Sequence, residues 1–346
     1  MQRVIGERGL SETPYGPDEA RAMFADLVRA RRFDERSLTL QRRGWMSGYP
    51  PFRGQEATQV GAAYAMAPDD WLVPTYRQNA LLLARGVPMA DLLLFRRGAP
   101  EYRHGDDRHI LPQTVPIATQ LPIAVGLGMA ARYRGDDVAV LACLGDGATS
   151  EGDFHEALNF AGVFDAPVVF CCENNGWAIS MPTERQTASP SIAAKAAAYG
   201  IEGRQVDGND PLAVREATET SLERARAGSP VLLESLTYRQ GAHTTADEPA
   251  RYRGEPDHLP AWRTADPLER FERYLREEGV VDDAFVEDCR TAADAALDAA
   301  IAEAEATPIE APSAVFDSVY ADLPPRLREQ RDWLEASLVD RDTTDG

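Results

Sequence analysis

The sequence predicts an α/β fold: a mainly parallel sheet with helices on both faces, extended by helices at both ends. Two observations carry this. First, the stretches "DVAVLACLGDG" (137–147), "PVVFCCENN" (167–175) and "PVLLESLTYR" (230–239) are near-continuous apolar runs of strand length. Strands that read this way are buried on both faces, as in parallel sheets. Second, each run is separated from the next by helical patterning, the β/α alternation that builds a parallel sheet. At 346 residues, 44% hydrophobic and 27% charged, the chain suits one large domain with an extension rather than two full domains.

Residues 1–16 read as a loose arm. A long helix is expected from Pro17 to about Gly44, with proline in the first turn, Asp18 and Glu19 at the positive end, and arginines before the glycine. "GQEATQVGAAYAMA", "QNALLLARG" and "MADLLLFRRG" read as further helices. Residues 96–116 form an irregular, charged stretch. "ATQLPIAVGLGMAARYRG" follows as a helix rich in small residues. In the alternating region, 151–164, 191–200 and 212–228 are the helices, and "RQVDGND" is a short strand and turn. Residues 239–262 read as a long loop of the kind that is usually functional. Acidic, alanine-rich helices over 267–306 and 323–338 read as a solvated cap. The expected division is an arm (1–16), an α/β domain (17–262) and a C-terminal helical extension (263–346).

The formal charge is -20, and Lys195 is the single lysine among 36 basic residues. Thermophile proteins enrich lysine and glutamate together, so this acidic, lysine-depleted surface points instead to a salt-rich cytoplasm, with an arginine-favouring GC-rich genome as the alternative. No basic stripe exists to meet a phosphate backbone, so nucleic acid is not an expected partner. Cys143, Cys171, Cys172 and Cys289 lack zinc spacing and read as small buried hydrophobes in a reducing compartment. With no apolar leader and no run of membrane-spanning length, a cytoplasmic protein is expected.

The chemistry concentrates in "GDGATSEGDFHEALNFAGVFDAPVVFCCENNGWA" (145–178). Asp146 ends one strand, and Asn174 and Asn175 end the next. Parallel neighbours bring these ends to one edge of the sheet, where ligands sit in such folds. A carboxylate, an amide oxygen and a nearby backbone carbonyl are hard oxygen donors suited to magnesium, which also takes oxygens from phosphates and water. Gly145 and Gly147 let a ligand approach the backbone. The helix from Glu151 directs its positive end to the same edge. The expectation is a magnesium–diphosphate site.

This stretch resembles the thiamine diphosphate motif in the alpha subunit of the first, decarboxylating component of 2-oxo acid dehydrogenase complexes. The resemblance extends from about residue 20 to 340 through "GQEATQVG", "TYRQ", "VPIATQLP", "VDGND", "TYRQGAHTTADEPARYR" and "VFDSVYADLPPRLREQRDWL". It implies the thiamine diphosphate-binding fold. Asp146 and Asn175 would bind magnesium by side chain and Trp177 by its carbonyl, while Gly147 and Ala148 would meet the diphosphate through backbone amides. Tyr76 and Arg77 match the diphosphate clamp, a role suited to arginine's planar fork. His243 matches the active-site histidine, and Val115 to Ile117 would lie against the aminopyrimidine. Thr114, Thr119 and Gln120 fall where branched-chain members bind potassium. His104, His109 and His155 read as structural or solvated.

The chain departs from the family pattern in places. Trp177 stands where tyrosine is usual. "RRGAPEYRHGDDRHILPQT" (96–114) replaces a glycine-rich segment containing Met-Pro-His. Thr244 and Thr245 stand where some members carry a phosphorylated serine, and read here as loop threonines.

The implied activity is oxidative decarboxylation of a 2-oxo acid with transfer of the acyl group to lipoyl-lysine of the acyltransferase core. The family's beta subunit supplies the glutamate for the aminopyrimidine nitrogen, so the resemblance implies a tetramer of two alpha and two beta chains, with this chain inactive alone. A branched-chain substrate is expected ahead of pyruvate. An acetoin dehydrogenase alpha subunit and a non-catalytic scaffold subunit are the alternatives. An NAD-binding dehydrogenase is a further reading, disfavoured because "GLGMA" is a poor glycine fingerprint.

Overall fold

A computed structural model describes residues 1–101, 108–254, 256, 259–308, 311–317 and 319–342. Its strands are β1 (Trp71–Val73), β2 (Val140–Gly145), β3 (Val168–Asn174), β4 (Trp177–Ala178), β5 (Met181–Pro182), β6 (Glu202–Asp207) and β7 (Val231–Leu236). Five form one parallel sheet in the order β1-β2-β3-β7-β6, and β4 and β5 form a small antiparallel hairpin.

Alternation along the central strands divides their side chains between two helical layers. Val140, Ala142 and Leu144 of β2 and Val168, Phe170 and Cys172 of β3 pack with Leu121 and Val125 of the helix Gln120–Arg134 and with Phe154, Leu158 and Ala161 of the helix Gly152–Phe164. The opposite face meets the helices Glu56–Ala65 and Pro211–Arg226. Thr58 and Ser235 share a hydrogen bond of 2.6 Å across that layer. Both faces are covered, which is why the strands read as unbroken apolar runs.

Most expected helices form near their expected bounds. The long N-terminal helix spans Pro17–Arg42, with Gly44 just beyond it at φ +74°. Several readings are corrected. Residues 193–199 wind as a 3-10 segment rather than an α-helix. β1, hidden in "WLVPTYRQ", adds an edge strand. The arm is docked rather than loose: Gln2 bridges Val206, Arg3 pairs with Asp207, and the Val4 and Ile5 amides donate to Asp210.

The contacts divide into compact units Met1–Ile301 and Ala302–Gly346. In the first, the helix Pro267–Glu277 is no solvated cap: it buries Phe271 and Leu275, and its Arg270 forms a buried ion pair with Asp207. The second contains a 3-10 segment at Pro312–Phe316 and the helix Pro325–Asp342, on which Trp333 is exposed. No helix among the described residues is long and apolar enough to cross a membrane.

Candidate functional site

The C-terminal ends of β2 and β3 are in register, with Gly145 opposite Glu173. Asp146 and the pair Asn174–Asn175 therefore emerge side by side. After them the chain turns through Gly176, at φ +89°, into the β4–β5 hairpin, which folds back over the Asp146 turn. Gly147 is required by that closure: a Cβ there would stand 2.7 Å from the Cβ of Ala178. At Gly145 a Cβ would meet nothing within 4 Å, so that position faces open space.

The open space is a cavity of about 240 Å³. Among the expected site residues, Tyr76, Arg77, Thr114, Ile117, Gln120, Asp146, Gly147, Ala148, Asn175, Trp177 and His243 line it. Val115 and Thr119 do not. Val115 is 59% exposed, and the exposed Thr119 donates its hydroxyl to the Pro116 carbonyl at 3.0 Å. His104 lies outside the described residues. His109 packs against Trp71 with the two rings tilted by 50°, and His155 hydrogen-bonds the Tyr199 hydroxyl, both structural contacts.

Asp146 is 1% exposed. Its Oδ2 accepts from Thr183 Oγ1 and Gln186 Nε2, each at 2.8 Å, whereas its buried Oδ1 has no hydrogen-bond partner. Burial pushes its pKa up, and the two donors oppose that shift. Asn175 Nδ2 donates to Gln55 Oε1 at 2.8 Å, and its Oδ1 accepts the Trp177 amide at 3.1 Å. An orphaned carboxylate oxygen and an amide oxygen, from two residues that line one cavity, fit a hard cation. Among the described residues no three His, Cys, Asp or Glu side chains converge as a metal cluster, so such a cation would need amide and carbonyl oxygens as well.

On another wall, Arg77 Nη1 donates to the Pro51 carbonyl. Its Nη2 lies 3.1 Å from His243 Nδ1 and donates to the His243 carbonyl at 2.9 Å. Arg239 Nη1 is 3.3 Å from the same Nδ1. Burial and the charges of Arg77 and Arg239 lower the His243 pKa to about 4, with Asp247 opposing. The Tyr76 ring meets His243 edge-on at 6.3 Å. This wall is positive and suits an anion.

Sequence reasoning missed several residues here. Gln55 anchors Asn175. Arg239, with a fully buried side chain, sits behind His243. Glu173 lines the cavity, accepts from Gln78 and Gln59 at 2.9 and 3.2 Å, and is raised by burial to about 7. Thr183 and Gln186 hold Asp146. The glutamate was visible as a charge inside an apolar strand, a position that demands partners. The neutral residues carried no signal of their own.

Known proteins resemble this chain over most of its length. A family model described as the dehydrogenase E1 component matches residues 25–313. The 3-methyl-2-oxobutanoate dehydrogenase subunit alpha of Mycobacterium tuberculosis is 44% identical over 340 residues, covering 94% of this chain and 89% of the relative. The pyruvate dehydrogenase E1 component subunit alpha of Staphylococcus aureus is 38% identical over 340 residues, covering 95% of this chain and 91% of the relative.

Proposed function

The chain belongs to the dehydrogenase E1 component family, as the alpha subunit of a thiamine diphosphate-dependent 2-oxo acid dehydrogenase, and from that premise we propose a branched-chain substrate, 3-methyl-2-oxobutanoate foremost, with pyruvate second. The higher identity to the 3-methyl-2-oxobutanoate relative supports that order. The partners are a beta subunit, two of each chain per assembly, and a lipoyl acyltransferase core.

One observation carries the site assignment: the metal-ligand candidates and the positive wall face one cavity at the sheet's C-terminal edge. Asp146, Asn175 and the Trp177 carbonyl hold magnesium. The orphaned Asp146 Oδ1 supports this, since a buried carboxylate oxygen without a partner is costly unless a ligand takes it. Arg77 and Tyr76 bind the diphosphate, with the amides of Gly147 and Ala148. Val115 to Ile117 lie at the ring end. Thr114, Thr119 and Gln120 form the potassium site. Buried Gln120 Oε1 has no partner, and its Nε2 donates to the Cys143 carbonyl at 2.8 Å, which fixes the amide.

Bound thiamine diphosphate supplies a carbanion and then an electron sink for decarboxylation. The chain's residues bind, orient and move a proton. With both arginines donating towards His243 Nδ1, that nitrogen is the acceptor and Nε2 carries the hydrogen. Neutral His243 can therefore donate from Nε2 to an oxygen at the cavity. At about 240 Å³ the cavity is smaller than the ~300–1,000 Å³ usual for small-molecule sites, which agrees with a half-site completed by the beta subunit.

The test is decarboxylation assayed with an artificial electron acceptor, for the chain alone and with its beta subunit, on 3-methyl-2-oxobutanoate, pyruvate and acetoin. Activity only with the partner, thiamine diphosphate and magnesium is expected, highest on the branched substrate. Preference for acetoin would overturn the substrate assignment. Unchanged activity of an assembled Asp146→Ala variant would favour the non-catalytic scaffold.

A further inference from the structure

We propose that Thr183 and Gln186 are positioning residues for the metal: together they hold one oxygen of the Asp146 carboxylate so that the other faces the cation. The inference rests on the reading of Asp146 as a metal ligand. A carboxylate on a single-bonded side chain can rotate and offer either oxygen, or both, to a cation. Here Oδ2 is occupied twice, by Thr183 Oγ1 and Gln186 Nε2, each at 2.8 Å. Oδ1 is buried, with no partner. The donors thus select which oxygen remains.

Both donors are themselves fixed. The Thr183 amide donates to the Gly176 carbonyl at 3.1 Å, and Gln186 Nε2 spends its second hydrogen on the Met181 carbonyl at 3.0 Å. Asn174 Oδ1 lies 3.3 Å from Thr183 Oγ1, but one hydroxyl proton serves one acceptor, and the shorter approach is to Asp146. The 3-10 turn Thr183–Arg185 follows directly on the hairpin that begins at Trp177. A single ten-residue stretch, 177–186, therefore carries the Trp177 carbonyl and both groups that aim the carboxylate. Burial of Asp146 beneath the hairpin and ordering of the carbonyl ligand become one event.

The chemistry of the donors matters. Both are neutral, so they orient the carboxylate without cancelling its charge. An arginine or lysine in their place would form an ion pair and compete with the cation. Hydrogen-bond partners behind a ligand commonly set metal affinity, and their loss costs roughly 10–100-fold.

The experiment is a Mn²⁺ titration followed by electron paramagnetic resonance, on the assembled alpha–beta complex with saturating thiamine diphosphate. The variants are Thr183→Val, Thr183→Ser, Gln186→Met and Asp146→Ala. Thr183→Val and Gln186→Met should each weaken Mn²⁺ binding by about 10-fold or more. Thr183→Ser keeps the hydroxyl and should bind as the unaltered protein does. Wild-type affinity in both Thr183→Val and Gln186→Met, with loss in Asp146→Ala, would overturn the inference and leave the site assignment standing. Equal weakening by Thr183→Ser and Thr183→Val would show that the hydroxyl is not the cause, and would also overturn it. Wild-type affinity in Asp146→Ala would remove the site assignment itself. Gln186→Met, on a half-exposed residue, keeps the test in force where Thr183→Val fails to assemble.

Discussion

Arg77 Nη2 lies 3.1 Å from His243 Nδ1 and 2.9 Å from the same residue's carbonyl oxygen, so one guanidinium grips both the ring and the backbone of the histidine. The grip disfavours the imidazolium. Burial is the largest influence on His243, followed by Arg77 and Arg239, and the pKa falls to about 4. An unfolded histidine takes up its proton near 6.5. Between about pH 4 and 6.5 the unfolded chain therefore binds more protons, and His243's contribution to stability grows as pH rises through that window. In ¹³C-histidine NMR the His243 signal, assigned by its loss in His243→Asn, should stay in the neutral form from pH 8 down to 5. Arg77→Gln should shift its titration upwards. A wild-type midpoint near the free-histidine value would contradict this.

Glu173 should behave with the opposite sign. Burial lifts its carboxyl to about 7, against the lowering effect of Gln78, Gln59 and Arg77. Between its unfolded value near 4.5 and about 7 the folded state binds the extra proton. Stability from this group is full below that window and is lost as pH rises through it. Glu173→Gln removes the titration and sets an amide N–H against one of two N–H donors, at a cost of about 1–3 kcal/mol. The melting-temperature deficit of the cofactor-free variant should be greatest near pH 4.5–5 and shrink towards pH 8. A deficit independent of pH would mean that Glu173 is ionised throughout.

These cases show what the sequence could and could not reveal. The strands around Asp146 and Asn175 were legible because burial on both faces leaves an unbroken apolar run, and parallel pairing then dictates which ends meet. Tyr76, Arg77 and His243 came through family resemblance alone, since a loop histidine far along the chain has no periodicity to place it. β1 was hidden because three residues before a proline make no pattern. The arm's docking depends on Asp207 and Asp210, whose amide and guanidinium partners lie about two hundred residues away. Thr183 and Gln186 were invisible because neutral side chains in a turn after two-residue strands look like any surface turn.

Lys195, the sole lysine, should resist replacement. Its ammonium donates to both the carbonyl and the hydroxyl of buried Thr149, at 2.9 and 3.0 Å, and lies 5.7 Å from the Phe154 ring centroid. Thr149 in turn donates to the Asp146 carbonyl at 2.9 Å, which pins the 3-10 segment Asp146–Ser150. A compact ammonium can place two hydrogens on one residue at this range, whereas a planar guanidinium needs more room. Lys195→Met should cost about 1–3 kcal/mol in urea unfolding, from the hydrogen bonds lost at Thr149. Lys195→Arg should recover only part of that. Full recovery by arginine would mean that charge, rather than geometry, is what the position requires.

Salt should stabilise the protein. Acidic residues outnumber basic ones by 56 to 36, so net self-repulsion opposes the compact state. Ion pairs such as Arg32–Asp294 and Arg36–Asp298 act in the other direction, but their side chains are 42–69% exposed, and pairs of that kind contribute little. Raising KCl from about 0.1 M to about 1 M shortens the Debye length from about 10 Å to about 3 Å and screens both effects. Because the repulsion is summed over the whole surface and the exposed pairs are individually weak, the repulsive contribution should dominate. The melting temperature should therefore rise with KCl, by several degrees, before any cofactor is added. A fall would show that the ion pairs outweigh the repulsion, and would remove the physical basis for reading this composition as adaptation to high salt.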